Sequence, residues 1–305
     1  MFVVKYRTIW FVFSGILLAL SLWAMFTYGF KLSIDFKGGT LTEVKYTQVR
    51  PVQADVESEI SKLNLGGFSV RPSGGLNYII RTKELSADEG LSLIETLGSP
   101  VVERQNTIGP VAGAELQNKA IKAVLVVVLM IVLFVTFAFR KVSQAGLPRA
   151  GRGVASWKYG LATIVALAHD VIIPTGIFVL LGHFMGVEMD LLFITGLLAI
   201  LGYSVHDTIV VFDRVRENLG INIEKNLKED FENTVGKSVT QTFGRSINTS
   251  LTIFITLLAL YLVGSMATKD FALLLIIGVI IGTYSSIFVA SPLLVTFYKF
   301  QKALK

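Results

Sequence analysis

The chain has 305 residues, of which 52% are hydrophobic and only 16% charged, with 28 Lys and Arg against 22 Asp and Glu for a formal net charge of +6. With a mean hydropathy of +0.64, it carries too little charge for an ordinary water-soluble domain, where about 25% of residues are charged. The absence of Cys excludes disulfides, and the basic excess does not read as a nucleic-acid patch because it is shared out between long apolar runs.

Lys5 and Arg7 precede the first of these runs, Thr8–Phe30. A helix needs roughly 20 apolar residues to cross the hydrocarbon core, which this run supplies. It opens like a signal peptide, but its length predicts an uncleaved anchor, and the weak cleavage match Ala19-Leu20-Ser21 lies inside the run.

Residues 31–118 form the one long polar stretch. Thr40–Tyr46 alternates as a strand does, and Pro51–Leu63 reads as a helix with Val56, Ile60 and Leu63 on one face. Phe68–Arg71 and Leu76–Arg81 are short strands around Pro72-Ser73-Gly74-Gly75. Ser86-Ala87-Asp88-Glu89 is a capping box opening a helix that runs through Leu97 and ends at Gly98. Val101–Ile108 is a last strand. The order βαββαβ predicts an α+β, ferredoxin-like split βαβ domain with helices on one sheet face. With no His and no Cys, this stretch offers no catalytic constellation, and a binding or lever role fits it better. Gly109–Lys122 then reads as a helical stem.

The remaining runs predict five more spans. Ala123–Phe139 is short, but Lys122 and Arg140 can snorkel to the two interfaces. Tyr159–Val187 and Leu191–Phe212 qualify by length yet contain ionisable residues, and Ser246–Thr268 and Phe271–Tyr298 complete the set. The fold class is therefore a membrane all-α bundle of six helices with one exported α+β domain. Its parts are an N-terminus and first span at 1–30, the exported domain at 31–118, and five spans with their loops at 119–305. Arg140, Lys141, Arg149, Arg152 and Lys158 fill the loop at about 140–158, and Arg214, Arg216, Lys225, Lys228, Lys237 and Arg245 that at about 213–245. Lys299, Lys302 and Lys305 end the chain, whereas His183–Asp190 holds no Lys or Arg. This asymmetry puts both termini in the cytoplasm. Val215–Gly244 reads as an amphipathic helix on the inner surface or as a docking surface.

Ionisable residues inside a membrane are costly, by about 2.5–3.5 kcal/mol each at the centre on insertion scales, and need a partner, water or a neutral state. His169 and Asp170 fall near mid-membrane and Asp207 deep in the fourth span. His206 and Asp213, seven residues apart, share a helix face, and Asp207 points about 100° away from His206. Arg245 begins the fifth span from the same side as Asp213, and Asn248, Thr249 and Thr252 continue its polar face. Either these residues relay protons, a carboxylate alternating between cation-paired and protonated states, or they glue helices together. Gly278, Gly282, Ser286 and Ala290 form a small-residue stripe suited to close packing.

Several segments resemble the SecF branch of the SecD/SecF family of protein-export membrane subunits. They are Ile34-Asp35-Phe36-Lys37-Gly38-Gly39-Thr40, the segment Ile108–Leu116, Ala168-His169-Asp170, the long fourth-span motif Gly202–Asn218 with Asp207, Asp213 and Arg214, and Arg245-Ser246-Ile247-Asn248-Thr249-Ser250. One departure is His206, where the family usually has Asn. The resemblance implies a subunit in the bacterial inner membrane, of the resistance-nodulation-division type, without a cofactor. It implies pairing with SecD, association with the SecYEG channel, and use of the proton-motive force to help preproteins complete export. It also implies Asp213 with Arg245 as the central pair and Asp207 as a further intramembrane acid. A proton-driven exporter of small molecules or lipids from the same superfamily is the alternative, although such exporters carry twelve spans in one chain. An enzyme is not expected, since no nucleophile motif and no H-E-x-x-H spacing occurs.

Overall fold

The computed structural model describes residues 2–139, 156–227, 229–264 and 266–303, so most of the expected basic loop at about 140–158 lies outside the described residues. Among these, six helices are long and apolar enough to cross a membrane: Arg7–Tyr28, Pro110–Ala138, Trp157–Met185, Leu191–Glu224, Phe231–Val263 and Thr268–Phe300. The chain divides into two compact units. One comprises Met1–Gly29, Ala123–Leu180 and Thr195–Lys305, and the other Phe30–Lys122 with Leu181–Ile194.

In the helical unit, glycines set the spacing. A Cβ on Gly278 of the sixth span would run into Ile200 of the fourth, and one on Gly282 would lie 3.0 Å from Ser204. Gly196 meets Leu274 in the same way, at 2.6 Å. The small-residue stripe therefore lets the fourth and sixth helices approach closely, as small residues do when no hydrophobic effect drives association. The sixth span continues through a π-helical segment, Ser286–Ala290, before resuming as an α-helix at Ser291.

The segment 213–245 differs from expectation. Among the described residues no separate surface helix forms. Instead the fourth helix runs for 34 residues, about 50 Å, and the fifth starts at Phe231 after a short turn. Val215, Leu219, Phe231, Val235 and Val239 are buried in the main core, so the apolar residues of this segment face their own bundle. Polar side chains zip the two extensions together. The Asn218 amide donates to Ser238 Oγ at 2.8 Å and to Gln241 Oε1 at 2.8 Å, and Asn222 donates to the Glu229 carbonyl at 2.7 Å. At the same end, Glu232 is held between Arg7 at 2.8 Å and Lys299 at 2.6 Å. The start of the first span thus meets the start of the fifth and the end of the sixth.

The α+β unit contains a four-stranded antiparallel sheet in the order β2-β3-β1-β4, with β1 Gly39–Lys45, β2 Ser69–Ser73, β3 Asn77–Thr82 and β4 Val101–Ile108. A helix at Gln53–Lys62 links β1 to β2, and one at Ala87–Thr96 links β3 to β4. Ser86 and Glu89 close the expected capping box. Val44, Val70, Tyr78 and Ile80 from the strands pack on Val56, Ile60, Leu93 and Leu97 from the two helices.

The paired glycines carry the entry to this sheet. Gly38 has φ 77° and Gly39 φ 129°, both in the region that L residues avoid. A Cβ on Gly38 would lie 2.8 Å from Pro110, and one on Gly39 would strike the carbonyl of Thr82. Gly39→Ala is expected to destabilise the α+β unit by roughly 1–3 kcal/mol of backbone strain or more, read as faster limited proteolysis of the detergent-solubilised chain. Gly67→Ala, where a Cβ meets open space, should be indistinguishable from wild type.

Candidate functional site

The polar interior of the helical unit is organised by Asp170, whose side chain is completely buried in the third span. Four residues later stands Pro174, whose ring nitrogen carries no N–H for the Asp170 carbonyl. The helix is thus weakened where its acid sits. Ser204 of the fourth span and Ser285 of the sixth both donate to Asp170 Oδ2, the latter at 2.7 Å. His169 Nδ1 lies 2.9 Å from Oδ1. Three helices therefore converge on one carboxylate, which takes charge-assisted hydrogen bonds from each side.

The neighbours of this cluster are also polar. Ser286 bonds Thr208 at 2.8 Å and the Ser204 carbonyl at 3.2 Å. The π-helical turn begins at Ser286, and the successive residues Ser285 and Ser286 reach different helices, Ser285 to Asp170 of the third span and Ser286 to the fourth. Widened turns of this kind recur at functional sites. The His169 ring stacks on Tyr284 at 5.9 Å, and its Nε2 is buried with no hydrogen-bond partner among the described residues. Tyr284 bonds Ser14 at 3.0 Å and the Trp10 carbonyl at 3.1 Å, so the cluster reaches the first span.

Asp207 is a second buried acid with a different environment. It is 6% exposed. Oδ1 accepts a 2.6 Å hydrogen bond from Ser246 of the fifth span, and Oδ2 is buried with no partner among the described residues. The charged groups acting on it are His206 on its own helix and Arg245 on the fifth, and both side chains are exposed.

The sequence candidates separate accordingly. His169 and Asp170 are brought together, and so are Asp207, His206 and Arg245. Asp213 does not pair with Arg245. It is 52% exposed and pairs with Arg216, one turn along its own helix. The reason is geometric. Arg216 is within reach with no loop to close, while Arg245 stands by Asp207, six residues and roughly 9 Å deeper along the helix. His206 and Asp213 do share an exposed face. Arg214 bonds Glu217 and Gln241 on the helical extension, at 2.6 and 2.7 Å. Asn248, Thr249 and Thr252 form an exposed polar stripe on the fifth span, and Gly202 opens onto free space on the fourth. Asp35 does not belong to this site. It caps the first turn of the fourth spanning helix, accepting from Leu191 N at 2.9 Å. Ser204, Ser246 and Ser285 are the hydrogen-bond partners of the two acids that pattern reading passed over. The available signal was a Ser three residues from an intramembrane acid (Ser204 before Asp207) and adjacent serines in an otherwise apolar helix.

Comparison with known proteins gives a consistent set of similarities. The chain matches the family described as "Protein export membrane protein SecD/SecF, C-terminal" over residues 92–147 and 154–300, and the "SecD/SecF GG Motif" over residues 23–48. It is 36% identical to a protein translocase subunit SecF of Thermobaculum terrenum, over 96% of this chain and 93% of that one. It is 35% identical to that of Anaerolinea thermophila, over 95% and 91%. Against the crystal structure of the translocon-associated SecDF of Thermus thermophilus the TM-score is 0.81 at 32% identity. That match covers 97% of this chain and 38% of the solved one.

Removing the Asp170 carboxylate should be costly in a way that removing Asp213 is not. Asp170→Ala strands the buried Ser204 hydroxyl, a loss of about 1–3 kcal/mol, leaves Ser285 only the Gly282 carbonyl of its own helix, and is expected to lower the melting temperature of the purified chain clearly. Asp170→Asn keeps an acceptor and should lose less. Asp213→Ala removes an exposed i,i+3 pair of at most about 0.5 kcal/mol and should melt with wild type.

Proposed function

The chain belongs to the SecD/SecF family of protein-export membrane proteins, and from that premise we propose that it couples proton movement through buried carboxylates to the completion of preprotein export. It is a multi-pass accessory subunit of the Sec translocase. In our reading it sits in the bacterial inner membrane with both termini in the cytoplasm, pairs with a SecD partner, and works beside the SecYEG channel as a transporter component rather than an enzyme. Part of this has direct support. A single-chain SecDF of Thermus thermophilus is 35% identical over 94% of this chain, which makes up 37% of that longer protein, as expected of one half of a two-part unit. The order β2-β3-β1-β4 with two crossover helices supports a ferredoxin-like description of the exported domain.

The observation that carries the proton role is the state of Asp207. One oxygen is satisfied by Ser246 and the other is buried with no donor. An anion left that way is expensive in a membrane interior, whereas a protonated carboxyl is not a buried charge. Arg245 on the adjacent helix supplies the opposite condition, since a guanidinium drawn onto Asp207 stabilises the carboxylate and expels the proton. Alternation between these two states gives one proton per passage, worth about 2.3 kcal/mol across 100 mV. Asp170, with donors on both oxygens, is better suited to hold the helices in register. His206 is exposed next to Asp207, where an imidazole, which can both donate and accept a proton, suits proton exchange.

Inverted membrane vesicles carrying the chain with its SecD partner test this. Under an imposed proton gradient, Asp207→Asn and Arg245→Ala are expected to abolish the gradient-driven part of preprotein export while SecD still co-purifies. Asp213→Asn should retain it. Full gradient response in Asp207→Asn would refute the assignment.

A further inference from the structure

The segment Leu181–Ile194, which joins the third spanning helix to the fourth, is part of the compact α+β unit. Its attachment is detailed. Leu32 and Met189 form a parallel β-bridge, with Ser33 N donating to the Met189 carbonyl at 2.9 Å and Met189 N to the Lys31 carbonyl at 2.8 Å. Asp35 Oδ2 accepts from Leu191 N at 2.9 Å, so a side chain from the GG segment caps the first turn of the fourth helix, beside that helix's own cap by Asp190 on Phe193 N at 2.8 Å. Arg81 at the end of β3 lies 2.9 Å from Glu188, with the two side chains only 14% and 7% exposed. Gly182 is packed so closely that a Cβ there would lie 2.9 Å from the Val187 carbonyl and 3.5 Å from Lys31.

We infer that this loop is the transmission element of the proton motor, with Asp35, Arg81 and Glu188 as positioning residues that make the α+β domain and the first turn of the Asp207-bearing helix move as one body. The inference rests on the proton-coupling role assigned above and adds the route by which that role would reach the exported domain. A flexible tether would need none of these contacts, since a loop of this length closes at little cost. Here two backbone hydrogen bonds, a cap and a buried ion pair fix a segment that has no catalytic group.

Glu188 supports a positional role over a merely stabilising one. Burial pushes its carboxyl above the usual range, and Arg81, Lys31, Arg71 and Lys37 offset that only in part. A carboxylate whose pKa is raised on folding contributes less to stability as pH climbs through the folded value, so at neutral pH this pair is held at a cost. Buried pairs retained on such terms can specify geometry more than they add stability. The cationic neighbours come from three places: Lys31 and Lys37 flanking the GG segment, Arg71 on β2 and Arg81 on β3.

Two measurements on the full chain with its SecD partner decide the matter. Because the chain has no Cys, Leu32→Cys with Met189→Cys places one pair across the bridge, where strands lie about 4.8 Å apart and a disulfide fits. Oxidation should link the pair completely and leave gradient-driven export at the wild-type level. Failure to link, or export that stops on oxidation and returns on reduction, would mean that the junction opens during work and would overturn the proposal. In the second measurement, Glu188→Arg and Arg81→Glu singly should lose most gradient-driven export, and the double exchange should recover it. Unimpaired single variants, or a double variant no better than either, would also overturn it. Asp207→Asn in the same vesicles separates the two claims. If it exports normally while the reversed pairs fail, the clamp stands and the proton assignment falls.

Discussion

A carboxylate in a membrane interior has no water to satisfy it, and everything else in the helical unit follows from how Asp170 meets that constraint. Its lone pairs must be served by other side chains, most of them from other helices. Ser204 and Ser285 serve one oxygen and His169 the other. For a serine to reach across, the helix axes must lie close together. Gly196, Gly278 and Gly282 make that approach possible between the fourth and sixth spans. At the start of the π-helical turn, Ser285 reaches Asp170 on the third helix and Ser286 reaches Thr208 and Ser204 on the fourth. The glycine stripe and the buried acid are two parts of one solution: without small residues the hydroxyls could not reach, and without the acid the close approach would have no polar reward.

The same constraint sorts the acids of the fourth span into different employments. Asp213 lies on the exposed face and takes the cheapest partner, Arg216 on its own helix. Such a pair is wet and worth little. Asp207 is buried, with one oxygen provided for and one not. A fully satisfied buried acid has no reason to change protonation, and a fully exposed one does so without consequence for the fold. An acid that is half satisfied, with an arginine on the next helix, sits between those limits, and a small helix displacement is enough to tip it. That intermediate condition makes Asp207 the stronger candidate for a moving proton.

Much of this architecture could be read before any coordinates. Runs of apolar residues broken by basic clusters identified the spans, and the capping box at Ser86 and the turn at Gly98 located the second helix of the α+β unit. The position of the acids on the fourth helix was readable from the 3.6-residue repeat. Which cation each would choose was not, because pairing depends on how far two helices run before they turn. The long zipped extension ending near residue 224 moved Arg245 alongside Asp207 rather than Asp213. That extension was itself hidden, since Leu219, Val235 and Val239 alternate with charges in a way that equally suits a helix lying on a membrane surface. The serines were missed for a related reason. A hydroxyl in an apolar helix can always bond its own i−4 carbonyl, and its sequence does not say when it reaches outward instead.

The fourth helix is where these threads meet. Its first turn is capped by Asp35 from the GG segment and fixed through Met189 and Glu188. Its middle carries Ser204, Asp207 and Thr208 into the polar seam. Its last turns are zipped by Asn218 and Asn222 to the start of the fifth helix. An α-helix is stiff along its axis, because every residue adds a hydrogen bond that strain would have to stretch. A rod held by specific contacts at both ends and bearing a titratable group between them transmits displacement rather than absorbing it. The Gly38-Gly39 pair then has a mechanical meaning beyond its turn geometry. Any Cβ there would push the GG segment off Pro110 and Thr82, shifting Asp35 from the helix it caps.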